Sequence, residues 1–282
     1  MQTVAIVGVG LIGGSFGLAL KSAGFQGEVI GVSSPASIQS ALERGAIDRA
    51  ACFSEAVLEA DLVYLALPIS GILNSLRQLR DLVREDALIT DCGSTKQVIV
   101  ECARKYLRRG TFLPGHPLAG KESRGVEHAD AGIFRGRAYA LTPISPEDLD
   151  TAPALNFREW LKRIGAREVI LGAGEHDHIV ALSSHLPQLA ATALASTLAQ
   201  SGEDVAELAG PGLLGATRLA LSSYDVWRDI LATNVEPVTE ALTAYIQRLE
   251  DIRENLRTLV VQEEFARASA FAGTLLSHST NS

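Results

Sequence analysis

The chain opens on a short β-branched run, Val4 to Val7, that ends in glycine, and the next apolar residues, Gly14 to Leu20, recur at helical rather than alternating spacing. That change of period predicts strand, tight turn, helix. Further short apolar runs follow at Val29 to Val32, Leu62 to Leu67, Leu88 to Asp91, Thr111 to Leu113 and Ala138 to Leu141, separated by helical stretches. Strands covered on both faces read as continuous apolar runs, so this alternation predicts an α/β fold with a Rossmann-type, doubly wound parallel sheet. A helix over Leu155 to Ile164 leads through Gly165 to a strand-like segment, Glu168 to Leu171, which the pattern assigns to the far edge of the same sheet. The Gly172-Ala173-Gly174 turn is the expected boundary between a dinucleotide-binding domain, 1–173, and a second domain, 174–282.

Beyond Gly174 strand signals cease, and Ile179 to Leu198, Ala216 to Leu221 and Val226 to Leu231 all read as helices, so the C-terminal domain is expected to be all-α. Its longest element is expected to begin at Pro237, a favourable first-turn proline, and carries Leu242, Tyr245, Leu249, Ile252, Leu256 and Leu259 at alternating spacings of three and four. One apolar stripe therefore runs down this helix. Packing within its own domain is one use for it; a stripe this long in a small domain points to a partner subunit, and a homodimer through the C-terminal helices is expected.

Composition narrows the function classes. A chain of 282 residues with 47% hydrophobic content and mean hydropathy +0.17 has enough apolar surface for real cores. A net charge of -8 and a pI near 5.3 oppose nucleic acid and anionic membrane as partners, because a polyanion requires a cationic face to displace its counterions. The amino terminus has no basic stretch leading into a cleavable apolar segment, and Val4 to Gly14 is broken by glycines and too short to span a bilayer, so a cytoplasmic location is expected. Cys52, Cys92 and Cys102 suggest neither a disulfide framework nor a thiolate zinc site. His176 and His178, flanked by Glu175 and Asp177 at a helix start, read as a capping, solvated segment, and no metal is expected.

The first candidate chemistry is Gly8-Val9-Gly10-Leu11-Ile12-Gly13, which matches G-x-G-x-x-G. The pattern is weak alone, but here it follows a strand and opens a helix at the start of a βαβ unit. Gly8 allows the tight turn, Gly10 lets the backbone approach a pyrophosphate, Gly13 permits close helix-on-strand packing, and the helix amino end offers N–H groups to phosphates. The second strand ends at Ser33 and Ser34, where an NAD site ordinarily has an acidic residue for the ribose hydroxyls. Without that carboxylate a 2′-phosphate is not repelled, and either serine could hydrogen-bond one; no adjacent arginine supplies the usual counter-charge. The cofactor is read as NAD or NADP, with a slight lean to NADP being accepted.

Ligands of an open parallel sheet sit beyond the carboxyl ends of its strands. Two segments there carry chemistry: Ser94 within Cys92-Gly93-Ser94-Thr95-Lys96, and His116 within Pro114-Gly115-His116-Pro117-Leu118-Ala119-Gly120. A histidine bracketed by Gly and Pro beside a cofactor crevice favours catalysis over a structural role.

At these residues the sequence resembles the prephenate and arogenate dehydrogenases of tyrosine biosynthesis. The resemblance covers nearly the whole chain: the glycine motif, Ala60-Asp61-Leu62-Val63 through Leu67-Pro68, Asp91 through Lys96, His116 through Gly120 with Glu122, Ser184-His185-Leu186-Pro187, Ala216-Thr217-Arg218-Leu219-Ala220 and Trp227-Arg228-Asp229-Ile230. It implies oxidative decarboxylation of a cyclohexadienyl substrate, prephenate to 4-hydroxyphenylpyruvate or arogenate to tyrosine. Neutral imidazole at His116 suits the base that takes the hydroxyl proton, and aromatisation leaves the protein mainly positioning work. By the resemblance Ser94 bonds the substrate hydroxyl and His116, Arg218 clamps a substrate carboxylate, and His185 and Glu122 line the pocket or its rim. Leu11, Ile12, Leu67 and Pro68 join the three glycines on the cofactor. Ser94 as a helix N-cap, Arg218 in a surface ion pair, His185 as a core histidine and Glu122 in a solvated charge pair are the plain alternatives.

The chain departs from the family pattern in two places. Gln188 stands where many prephenate-using members have a second histidine, and Gly212-Leu213-Leu214-Gly215 replaces aromatic, basic and acidic residues before the Thr-Arg pair. Gln188 could meet a keto acid or an ammonium group, leaving prephenate and arogenate both open. Without a preceding mutase segment or a following regulatory domain, tyrosine feedback is expected to act at the active site itself. Competing readings are another Rossmann-plus-helical dehydrogenase, such as a 3-hydroxyacid dehydrogenase or imine reductase, and a nonenzymatic dinucleotide sensor; neither calls for the Gly-His-Pro segment.

Overall fold

The computed structural model describes residues 1–121, 123–201 and 204–280. Strands β1 (Thr3–Val7), β2 (Glu28–Val32), β3 (Arg49–Ala50), β4 (Leu62–Leu65), β5 (Leu88–Asp91) and β6 (Thr111–Phe112) form a parallel sheet in the order β3-β2-β1-β4-β5-β6. Helices α1 (Leu11–Ser22), α2 (Pro35–Glu43), α3 (Phe53–Glu59), α4 (Ile69–Leu79) and α5 (Gln97–Tyr106) provide its crossovers. The order reverses between β1 and β4, which opens the crevice at their carboxyl ends. One apolar layer packs Ile30, Leu65, Ile72 and Ile89 under α4 and α5. The other includes Phe16 and Tyr64, whose rings stack with centroids 4.0 Å apart, together with Tyr139 and Phe157.

The predicted single sheet is corrected by the structure. After β6 the chain reaches Pro114, which has no N–H to extend the ladder, and turns into a second, three-stranded sheet. There β7 (Gly115–Pro117) runs antiparallel to β8 (Ala138–Leu141), which in turn runs parallel to β9 (Arg167–Ile170). Both Ala138 to Leu141 and Glu168 to Leu171 thus leave the sheet to which the pattern assigned them. His116 sits on strand β7. Helix α6 (Ala152–Arg163) covers the new sheet, burying Phe157, Trp160 and Leu161.

The C-terminal part is all-helical: α7 (Ala173–Val180), α8 (Leu186–Ala199), α9 (Asp204–Glu207), α10 (Pro211–Thr217), α11 (Tyr224–Thr233), α12 (Val235–Glu254) and α13 (Leu259–Thr280). Two predicted helices are interrupted. Between α7 and α8 lies a π-helical turn, Ala181–His185, directly before Pro187; proline has no N–H to return to the carbonyl four residues back, and the preceding turn widens. The long stripe helix ends at Glu254 rather than running to Leu259. The side chains of Asn255 and Thr258 bond the Asp251 and Asn255 carbonyls there, competing with helix propagation. Leu256 falls in that turn, while Ile246, Leu249, Phe265, Phe271 and Leu275 on α12 and α13 remain exposed. Among the described residues no helix is long and apolar enough to cross a membrane.

Candidate functional site

The glycine turn has the geometry its spacing predicts. Gly8 has φ +96°, and a Cβ there would lie 2.2 Å from the Ala66 carbonyl oxygen; a Cβ on Gly13 would lie 2.1 Å from the Gly8 oxygen. A Cβ on Gly10 meets nothing within 4 Å, because this position faces open space. Among the described residues none caps α1 through its side chain, and none in its first turn is acidic. A cavity of about 580 Å³ begins here, lined by Gly10, Leu11, Ile12, Leu67, Pro68 and Ser94 on the sheet side. Its other wall is α11, from Asp225 to Ile230, with Lys121 and Arg124 at the rim. Ser33 and Ser34 are exposed just after β2 and do not line this cavity, and Ser34 caps α2 by accepting from the Ser37 amide at 3.4 Å.

The two helices beside the cavity borrow their caps from the helical part. Asp229 of α11 accepts from the Ser70 amide in the first turn of α4 at 2.9 Å. Asp177 of α7 accepts from the Lys96 and Gln97 amides at 2.7 and 2.9 Å, capping α5. A carboxylate at a helix amino end satisfies otherwise unpaired donors and opposes the helix dipole. Ser94 does not serve as the α5 cap.

His116 is gripped on both its backbone and its ring. The buried Asp91 carboxylate accepts from the Gly115 amide at 3.2 Å and from the Gly93 amide at 2.8 Å, and it pairs with the buried Lys96 ammonium. Lys96 also donates to the Gly115 carbonyl at 2.7 Å, so one buried ion pair holds both backbone groups of the residue before His116. Gly115 must be small, since a Cβ would lie 2.8 Å from the Tyr139 ring. The His116 ring bonds through Nδ1 to His176 Nε2 at 2.9 Å, not to Ser94 as expected, and His176 Nδ1 bonds Asp177 Oδ1 at 2.8 Å. Burial lowers the His116 pKa well below the ordinary imidazole value, with His176, Lys96 and His185 adding to the effect. The ring is therefore neutral near pH 7, as a base must be. His116 is half-buried and is not among the described residues lining the cavity; it stands on the strand beside the β5 loop that carries Ser94.

The segment expected to be solvated is corrected here. His176 and Asp177 are 1% exposed because they share the inward face of α7 with Val180, whereas Glu175 and His178 face outward. Glu175 does cap, returning to the Gly172 amide at 3.4 Å. Among the described residues no group of three or more His, Cys, Asp or Glu is placed to hold a metal ion.

The remaining candidates are on the helical part. His185 is a buried histidine whose Nδ1 lies 3.2 Å from Asn234 Nδ2, with its ring edge-on to Trp227. Gln188 is also buried, and its amide nitrogen donates to the Leu219 carbonyl at 2.9 Å, tying α8 to the 3-10 turn Arg218–Leu221 rather than leaving that donor for a ligand. Arg218 is exposed at the start of that turn and does not line the cavity. Glu122 lies outside the described residues.

Burial lowers the His185 pKa from the ordinary 6.5 to about 4. The unfolded chain therefore binds a proton near pH 6.5 that the native state refuses until about pH 4, and stability falls as pH falls through that window. Chemical denaturation from pH 7 to pH 4 is expected to show a loss of about 3 kcal/mol that a His185→Asn variant does not share.

Two family profiles match the chain. The family profile for the prephenate dehydrogenase nucleotide-binding domain matches residues 16–170, and that for the prephenate dehydrogenase dimerization domain matches residues 172–268. The chain belongs to the prephenate dehydrogenase family. It is 36% identical over 263 residues to the prephenate dehydrogenase of Lactococcus lactis, covering 89% of this chain and 70% of that one. A crystal structure of prephenate dehydrogenase from A. aeolicus, in complex with hydroxyphenyl propionate and NAD+, superposes with TM-score 0.85 at 30% identity, covering 100% of this chain and 98% of that one. Synechocystis arogenate dehydrogenase superposes with TM-score 0.77 at 26% identity, covering 99% of each chain.

His116 thus stands on strand β7, next to the loop that carries Ser94. The buried partners of that histidine, Asp91, Lys96, His176 and Asp177, were not among the candidates read from the sequence. Asp91 and Lys96 stood inside a quoted motif without a role, and the adjacency of His176 and Asp177 was the one available signal.

Proposed function

We propose that the chain is a nicotinamide-dependent dehydrogenase that oxidatively decarboxylates a cyclohexadienol, prephenate or arogenate, with His116 as its base. The observation that carries this reading is the His116 ring, neutral by burial and committed through Nδ1, on the strand next to the Ser94 loop of the crevice. The dinucleotide fits the residues present: Gly10 opens onto a cavity whose floor is the amino end of α1, and Leu11, Ile12, Leu67 and Pro68 line it. When bound, the nicotinamide ring supplies the hydride acceptor. His116 takes the hydroxyl proton as the carbinol C–H bond breaks, and Ser94 orients that hydroxyl. Carbon dioxide then leaves, its bonding electrons aromatise the ring to a phenolate, and the His116 imidazolium returns the proton to that oxygen. Arg218, on the turn that Gln188 holds, is the carboxylate clamp in this reading.

Both NAD and NADP are accepted in this proposal, since β2 is followed by Ser33 and Ser34 without a carboxylate to repel a 2′-phosphate. The test is reduced-cofactor absorbance with each pairing of prephenate or arogenate and NAD or NADP. Turnover of at least one cyclohexadienol with both cofactors is expected; no turnover of either substrate rejects the assignment, and strict dependence on NAD rejects the cofactor reading.

The active form is proposed to be a homodimer through α12 and α13, whose exposed Leu249, Phe265, Phe271 and Leu275 are more apolar surface than a free helical pair leaves in water. Sedimentation at micromolar concentration is expected to give twice the chain mass. A monomer there refutes it.

A further inference from the structure

His116, His176 and Asp177 form a chain of hydrogen bonds whose direction follows from chemistry. An ionised carboxylate only accepts, and Asp177 also receives the Lys96 and Gln97 amides, so the 2.8 Å contact to His176 Nδ1 is an N–H of the imidazole donating to Asp177. In neutral His176 the other nitrogen, Nε2, then carries a lone pair. In that state the 2.9 Å contact to His116 Nδ1 is an N–H of His116 donating to it. His116 Nε2 is left unprotonated.

From this geometry we propose that His176 and Asp177 are positioning residues that set the tautomer of His116, so that its Nε2, rather than its Nδ1, is the proton acceptor in the reaction. Free imidazole side chains favour the proton on Nε2, the tautomer that has no lone pair to offer there. The relay reverses that preference, and it stabilises the imidazolium formed when His116 takes a proton, because the added charge is shared toward a buried carboxylate. The charged and titratable groups facing His116 are His176 and Asp177 from α7, Lys96 with Asp91 from the β5–α5 segment, and His185 from the π-helical turn. Among the described residues only His176 contacts the ring nitrogen. The inference rests on the reading of His116 as the base, but its first test requires neither substrate nor cofactor.

That test is nitrogen-15 NMR of the full chain labelled at histidine. At neutral pH both His116 and His176 are expected to carry their proton on Nδ1 and a bare Nε2; a His116 protonated at Nε2 overturns the proposal whatever the kinetics show. The second test compares His176→Leu with His176→Gln. Leucine cannot accept from His116, whereas the glutamine amide oxygen reaches the same place. His176→Leu is expected to shift His116 toward the Nε2-protonated form and to lower kcat at least tenfold with KM for both substrates within about twofold, as befits loss of base function. His176→Gln is expected to recover most of that loss. Equal activity in the two variants, or an unchanged His116 tautomer in His176→Leu, overturns the proposal. Absence of turnover in the wild-type chain beside the expected tautomers counts against the assigned reaction and leaves the relay standing.

Discussion

Replacing His116 by glutamine is expected to lower kcat by about 100-fold or more while cofactor affinity stays near that of the wild type. The amide keeps the volume of the ring and can still hydrogen-bond His176, but it has no lone pair basic enough to take the hydroxyl proton. The rate that remains is what binding and orientation supply alone. The measurement is steady-state kinetics with the better cyclohexadienol, paired with fluorescence titration of the reduced cofactor. A dinucleotide sensor, or a dehydrogenase using a lysine on its helical part, predicts an activity that this substitution leaves untouched. The result therefore separates the proposed enzyme from both rivals.

The second large effect is on stability. Lys96→Met is expected to cost about 3–5 kcal/mol, because it leaves the Asp91 carboxylate buried without its counter-charge. Asp91 keeps the Gly93 and Gly115 amides, which satisfy its lone pairs without neutralising it. The melting temperature is expected to fall by on the order of 10 °C. Activity should fall further than the loss of folded protein explains, since the Gly115 carbonyl is released next to His116. A variant as stable as the wild type would mean that water replaces the ammonium at Asp91, and the clamp described above would have to be abandoned.

How far these features could be read in advance differs by element. The glycine turn and the parallel strands β1, β2, β4, β5 and β6 were legible because each signal is local: a β-branched run, a glycine where the backbone must turn, and a change of period; the two-residue β3 carries no such signal. The second sheet was not. Ala138 to Leu141 reads as a buried strand in either sheet, and an apolar run does not report which neighbour it pairs with. His116 and Ser94 were singled out from their place at strand ends, but the partner of His116 was not, for a reason of distance. Asp177 caps a helix whose first residues lie 80 and 81 positions earlier, and a His-Asp pair at a helix start has the same appearance whether it caps its own helix or another. For Gln188 the sequence suggested a ligand contact and gave no sign that its amide nitrogen also ties α8 to the Leu219 carbonyl, a partner 31 positions away. The break at Asn255 lay in residues whose side chains, not their periodicity, stop the helix.

The caps borrowed by α4 and α5 bear on how such a protein can be divided or recombined. A nucleotide-binding half expressed alone would have two frayed helix ends bordering its own crevice, because Asp229 and Asp177 would be gone. A chimera that exchanges the helical half between relatives stays intact at this seam only if the incoming module brings acidic side chains to both places. The join is thus a pair of matched plugs and sockets, and loss of either plug reaches the crevice before it reaches the core.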